Sequence, residues 1–187
     1  SAILVMSLLS PFTASSESDL PEFKTLVEGV DFLRPYIGPF SEDLNDYEFY
    51  LNRRWMEVRD DEYFQEVILH VFKESGEYLH ILDGDITQGK WEHDLGGVIL
   101  QHGRSHELYQ LVFLNQDFFV LQKHGEHNAK GAGRHYLFFA REGLARSLEW
   151  PALLEVMYAY YKDNSSYKTI VVFIVIVVVV IALLSIL

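Results

Sequence analysis

The chain has 187 residues, a formal net charge of −12 and no cysteine, and every charge lies between Glu17 and Lys168. Without cysteine there are no disulfides, no thiol catalysis and no cysteine-ligated zinc or iron–sulfur sites. A domain this acidic is repelled by nucleic acid and anionic lipid, which bind through Lys and Arg clusters, so nucleic acid is excluded as a partner.

Taken in order, the chain opens with an apolar segment over 1–16, Ala2-Ile3-Leu4-Val5-Met6-Ser7-Leu8-Leu9 followed by Pro11-Phe12-Thr13-Ala14-Ser15-Ser16. A signal peptide is one reading, although no basic residue precedes the run. The run is too short to span a bilayer, and a short helix lying on the domain, a partner or the membrane interface is the other reading. A helical lead-in follows over 17–53. Asp19 as cap, Pro21 in the first turn and apolar Phe23, Leu26, Val27 and Val30 predict a helix over about 19–33. Arg34-Pro35-Tyr36-Ile37-Gly38-Pro39 is expected to end it. Ser41 to Leu51 reads as a second short helix with Leu44, Tyr47 and Leu51 on one side.

From 54 to 141 the pattern changes to short β-rich runs: Trp55–Val58, Glu66–Lys73, Glu77–Leu82, Lys90–His93, Val98–Gln101, Glu107–Leu114, Phe118–Lys123 and His135–Ala140. Turn signals separate them, among them Ser75-Gly76, Asp83-Gly84, Gly96-Gly97 and His102-Gly103-Arg104-Ser105. Short turns join antiparallel neighbours, so the expected fold is mainly β within an α+β chain. It is an up-and-down meander of about eight strands curling into a barrel, with flanking helices. Eight strands leave a side-chain-filled interior or room for one small ligand. Helical spacing returns over 142–163, with Pro151 suited to a first turn, so that this helix begins near Glu149.

Thr169 to Leu187 is nineteen residues with no charge, Gly or Pro. As a helix it spans roughly 28 Å, close to the hydrocarbon thickness of a bilayer. Its length far exceeds a strand, and in lipid the backbone must satisfy its own hydrogen bonds, so a single transmembrane helix is expected. Tyr158, Tyr160, Tyr161 and Tyr167 lead into it, as suits a membrane interface. Lys162 and Lys168 flank its near side, which by the positive-inside rule puts the domain on the cytoplasmic face of a tail-anchored, single-pass protein. An N-terminal signal would invert that topology.

The stretch from Glu107 to Ala140 contains Glu-Leu-Tyr-Gln-Leu-Val-Phe-Leu-Asn-Gln-Asp-Phe-Phe-Val-Leu-Gln-Lys and then Arg-His-Tyr-Leu-Phe-Phe-Ala. With a barrel meander followed by a helix, it resembles the lipocalin-like group of the calycin superfamily, over roughly half the chain. Lipocalins place the Trp of a Gly-x-Trp on the first strand at the closed end of the barrel, under a late Arg. The resemblance puts Trp55 in that position, with Arg134 or Arg141 across it, and Arg53 stands where the family has Gly. It implies ligand carriage or a binding scaffold, and no catalytic residue transfers.

No motif for catalysis emerges. The eight histidines include His102-x-x-x-His106 and His124-x-x-His127, spacings seen in metal sites only when a helix aims both rings. Gly103, Ser105 and Gly125 make these pairs turn and loop, so the four are poor metal candidates, and no cofactor is expected. His70 and His80 are expected on adjacent strands of one hairpin. Asp83-x-Asp85-x-Thr87 is a partial calcium loop with Gln88 where the sharp turn needs Gly, so a hairpin turn explains it better. Asp60-Asp61-Glu62 and Glu42-Asp43 read as solvated turns. Gly131-x-Gly133 precedes a strand and lacks the helix N-terminus of a phosphate loop. The aromatic load supplies the ligand or packing candidates Trp55, Trp91, Tyr109, Phe113, Phe119, Tyr136 and Phe138. Phe118-Phe119 and Phe138-Phe139 must each send one ring to either face of the sheet, so some rings need cover from helices or a partner.

These features point to a non-catalytic accessory subunit of a larger membrane protein complex, held in the bilayer through Thr169–Leu187, with other membrane subunits as partners. The alternative is a tethered carrier of an apolar molecule such as lipid, pigment or haem, which needs an open, mostly apolar interior. A histidine-based metal hydrolase ranks third.

Overall fold

The structure, a computed structural model, describes residues 20–63, 65–94, 96–125, 135–163 and 175–176. Eight antiparallel strands follow one another around a closed barrel. They are β1 Trp55–Val58, β2 Ile68–Phe72, β3 Glu77–Leu82, β4 Asp85–Asp94, β5 Gly97–His102, β6 Ser105–Leu114, β7 Phe118–Lys123 and β8 Tyr136–Arg141. β1 closes the ring on β8, with Trp55 opposite Arg141 and Val58 opposite Phe138. Closure leaves no unpaired sheet edge. The expected up-and-down barrel is therefore present, and β3 and β7 have the expected bounds. β4 is longer than Lys90–His93, because Asp85 to Gly89 pairs fully with β3 although its sequence is polar. Asp83 and Gly84, with φ of 49° and 98°, make the β3–β4 connection a two-residue hairpin turn.

The helices differ more from expectation. α1 runs from Leu26 to Ile37, capped by Thr25, whose hydroxyl accepts from the Glu28 N–H. Asp60 adds a second cap by accepting from the Leu26 N–H at 2.7 Å. The helix therefore starts later than the expected 19: residues 20–25 are not helical, because Thr25 and Asp60 supply the caps at Leu26, and Asp19 itself lies outside the described residues. The expected stop at Arg34-Pro35 is overridden: Pro35 sits in the last turn, and Leu33 and Ile37 stay helical because both are buried against the barrel. In place of a helix over 41–51 there are single 3-10 turns at Gly38–Phe40 and Tyr47–Phe49. After β8 come a one-turn α2, Glu142–Ala145, and α3 over 150–163, whose start agrees with the Pro151 argument.

Two cores result. One fills the barrel with Trp55, Phe72, Trp91, Val98, Leu114, Phe119, Leu121 and Phe139, joined by Leu44 and Tyr50 from the 3-10 region. The other lies between the barrel wall and the helices, where Phe118, Val120, Phe138 and Ala140 meet Val30 and Leu33 of α1 and Leu153, Leu154 and Met157 of α3. The chain's own helices therefore cover the outward rings of both Phe pairs. α1 and α3 run parallel, with Gly29 against Leu154 and Tyr36 against Tyr161. Tyr160 donates to Asp117 in the β6–β7 turn, which fixes the end of α3 beside the barrel end that holds Tyr50.

Among the described residues no helix is long and apolar enough to cross a membrane. The expected anchor over Thr169–Leu187 lies outside them, apart from helical, exposed Val175 and Ile176. The expected segment over 1–16 also lies outside them, as do Arg134 and the Gly131-x-Gly133 loop.

Candidate functional site: the barrel interior and its polar mouth

Side chains alternate inward and outward along each strand, so register decides what faces the interior. Near the β2–β3, β4–β5 and β6–β7 turns the interior is solid. Tyr50 enters there, donates its hydroxyl to the Leu44 carbonyl at 2.8 Å and accepts the Trp55 indole N–H on its own carbonyl at 3.1 Å. Its ring lies 5.7 Å from Trp91 and 5.4 Å from Phe119, and Phe72, Phe119 and Phe139 complete the packing. Tyr50, Trp55, Phe72, Phe119 and Phe139 are each 0% exposed.

Of the seven aromatic candidates, four line this interior: Trp55, Trp91, Tyr109 and Phe119. The other three, Phe113, Tyr136 and Phe138, belong to the layer under the helices. Phe113 changes face because the β6–β7 register shifts between Leu111 and Phe113. Tyr136 donates to Asp31 of α1. Trp55 takes the buried first-strand position at the closed end and Arg141 is its cross-strand partner, but the Arg141 guanidinium turns to Asp117 at 2.9 Å.

Toward the other end the interior becomes polar. The Glu57 carboxylate accepts from Arg59 Nε at 3.0 Å and lies 3.1 Å from His70 Nε2, while His70 Nδ1 lies 2.6 Å from the Tyr78 hydroxyl. An ionised Glu57 only accepts, so His70 Nε2 carries the hydrogen and Nδ1 accepts from Tyr78, an assignment made from the network. Burial pushes the His70 pKa below its ordinary value despite the hydrogen bond and charge of Glu57. Burial, then the charges of Glu57 and Glu107, push the Tyr78 phenol up.

A second group faces the same space. His80 on β3 and His102 on β5 lie 4.8 Å apart, ring to ring, and His70 packs edge-on against His80 at 5.2 Å. Thr87 on β4 sits between the two outer rings, its Oγ1 2.7 Å from His102 Nε2 and 3.5 Å from His80 Nδ1. His102 reaches across β4 because Gly89, flanked by Tyr78 and His102, presents no side chain. Burial first, then the neighbouring His70 and His102, lower the His80 pKa to about 4. Glu107, Tyr109 and Lys123 form a third group, with Lys123 Nζ 3.0 Å from Glu107. Burial works to raise the Glu107 carboxyl, but hydrogen bonds from Tyr109, Lys123 and Ser105 outweigh it and hold it below the usual range.

The metal candidates do not converge. His102 faces inward, whereas His106 pairs with Gln101 on the opposite face of the same hairpin. His124 follows β7 and is exposed, and His127 lies outside the described residues. Among the described residues no three His, Asp and Glu side chains are arranged to hold a metal ion. Sequence reading missed Tyr50 as a plug, the Glu57–His70–Tyr78 chain and the approach of His80 to His102. Only the His70–His80 pairing had a signal, the short hairpin between them. No family model, curated protein or solved structure matches the chain.

Proposed function

We propose that this protein is a non-catalytic accessory or stabilising subunit of a membrane protein complex, a lipocalin-like acidic barrel tethered through Thr169–Leu187. The observation that carries the reading is the filled barrel: a carrier of an apolar molecule needs an open apolar interior, and here Tyr50, Trp55, Phe72, Phe119 and Phe139 occupy it without residual exposure. Burial raises the Tyr78 and Tyr109 phenols, the reverse of what an activated nucleophile needs. The tether has a geometric consequence. α3 ends beside the closed end, a few residues before the proposed tether, so this reading puts the closed end toward the bilayer and the polar mouth away from it. A groove of about 210 Å³ between Phe40, Phe49, Tyr160 and Tyr161 opens at that membrane-proximal end and is where contact with a partner subunit is expected.

The test is native mass spectrometry of the endogenous protein extracted in mild detergent. Stoichiometric protein partners are expected. A lone chain carrying a reproducible small-molecule mass would establish the carrier reading instead, and a bare monomer would overturn both.

A further inference from the structure

We infer that His80 and His102 form a two-imidazole site at the barrel mouth for a borderline transition-metal ion, with Cu(II) the tightest-binding ion and Ni(II) and Zn(II) weaker. His80 Nδ1 and His102 Nε2 both face one point, now occupied by Thr87 Oγ1 at 3.5 Å and 2.7 Å. An ion bound there needs about 2.0–2.1 Å to each nitrogen. His80 must therefore close on the focus by about 1.4 Å and His102 by about 0.6 Å while the exposed Thr87 side chain rotates about χ1. That rotation gives up the Thr87 hydroxyl's bond to the His80 carbonyl at 3.1 Å.

The surroundings favour this ion class. Imidazole nitrogen suits Cu, Ni and Zn, whereas Mg and Ca take oxygen, and affinities for a nitrogen site peak at Cu(II). Both rings are half-buried at the open end, where an ion can enter. His70 supports the site without ligating: its two nitrogens are committed to Glu57 and Tyr78, and its ring braces His80. Water completes the coordination, so the ion is exchangeable and the fold does not depend on it. The inference does not rest on the accessory-subunit reading.

The test is Cu(II) binding to the untagged full-length chain in detergent, read by calorimetry and by the nitrogen hyperfine pattern of the Cu(II) electron paramagnetic resonance spectrum. One ion with two coordinated nitrogens is expected. Affinity should fall at least tenfold in His80→Ala and in His102→Ala, and should hold or rise in Thr87→Ala, which clears the focus. Because the two His variants could disturb the mouth, unchanged far-UV circular dichroism is required of each, and Thr87→Ala provides the independent arm. Absence of bound Cu(II) would overturn the site. So would binding that survives both histidine substitutions, which places the ion on the other histidines, or a tenfold loss in Thr87→Ala.

Discussion

A Cβ on Gly29 of α1 would stand 2.2 Å from Leu154 Cδ1 of α3, so the two helices meet there with only a hydrogen atom between the α1 backbone and the Leu154 side chain. Leu154 is 1% exposed, and Phe23 closes the same spot at 3.2 Å. Glycine inside a helix usually costs about 0.5–1 kcal/mol relative to alanine, so its place here reflects packing. Overpacking a buried layer costs about 1–3 kcal/mol. Gly29→Ala should therefore lower stability by about 1 kcal/mol net, read from the urea midpoint. In a Leu154→Ala background the same change should become neutral or stabilising, since the clash is gone. Stabilisation in the unaltered chain would contradict this helix contact.

Tyr50 closes the barrel with both its ring and its hydroxyl, which separates two effects. Tyr50→Phe keeps the ring and leaves the buried Leu44 carbonyl without its donor, costing about 1–2 kcal/mol. Tyr50→Ala removes the ring that touches Phe72, Trp91 and Phe119 and should cost about 3–5 kcal/mol. Trp55 and Trp91 both border the cavity created, so their fluorescence should shift to the red in Tyr50→Ala and hold in Tyr50→Phe. Equal losses for the two variants would mean that the ring is not the plug.

The strands were legible because alternation and turn chemistry are local properties, and β3 and β7 carry both without interruption. β4 is longer than its sequence pattern suggests because Asp85-Ile86-Thr87-Gln88-Gly89 has no apolar alternation, and only pairing with β3 makes it a strand. Phe113 could not be assigned to a face, since a one-residue shift at Leu111/Phe113 reverses everything beyond it. Pro35 read as a stop, yet the burial of Ile37 outweighed the lost N–H. The mouth was hidden for a further reason. His80 and His102 are twenty-two positions apart on strands that do not pair, and they meet because Gly89, the cross-strand partner of His102, presents no side chain in the way. Such a juxtaposition depends on barrel curvature, which a linear pattern does not encode.

Gly89 therefore yields a sharp prediction. A Cβ there would stand 2.2 Å from the Gln101 carbonyl oxygen and 3.1 Å from Tyr78 Cδ1, and the first of these is backbone that cannot rotate away. Gly89→Ala should separate β4 from β5 and cost about 2–3 kcal/mol, at the upper end of overpacking penalties. Gly143→Ala, in α2 with nothing within 4 Å, is the control and should be neutral or slightly stabilising. Amide exchange at Gly89 and Gln101 should rise in the first variant only. Similar midpoints for the two would remove the argument for Gly89 as the spacer of the mouth.

The mouth also dictates how stability depends on pH. His70 and His80 are held below their ordinary value of 6.5, His70 chiefly by burial and His80 by burial, then by the other two imidazoles. Glu57 opposes both shifts, Arg59 reinforces them, and Glu107, Tyr109 and Lys123 face the same space. As pH falls below about 6.5 the unfolded chain takes up protons on these two residues while the folded chain does not. The contribution of neutral His80 is thus complete above 6.5 and is lost as pH falls toward about 4, and that of neutral His70 is likewise complete above 6.5 and is lost at some pH below it. Glu107, depressed from a carboxyl value of 4.5, acts in a lower window that opens only below that value. The melting temperature should therefore fall between pH 6.5 and 4.5 as these histidines protonate on unfolding, and more steeply below 4.5 as Glu107 adds its share. His80→Gln, which cannot titrate, should flatten the upper limb and leave the lower limb in place. A profile flat between pH 6.5 and 4.5 in the unaltered protein, or an upper limb undiminished in His80→Gln, would show that these imidazoles do not set the acid response.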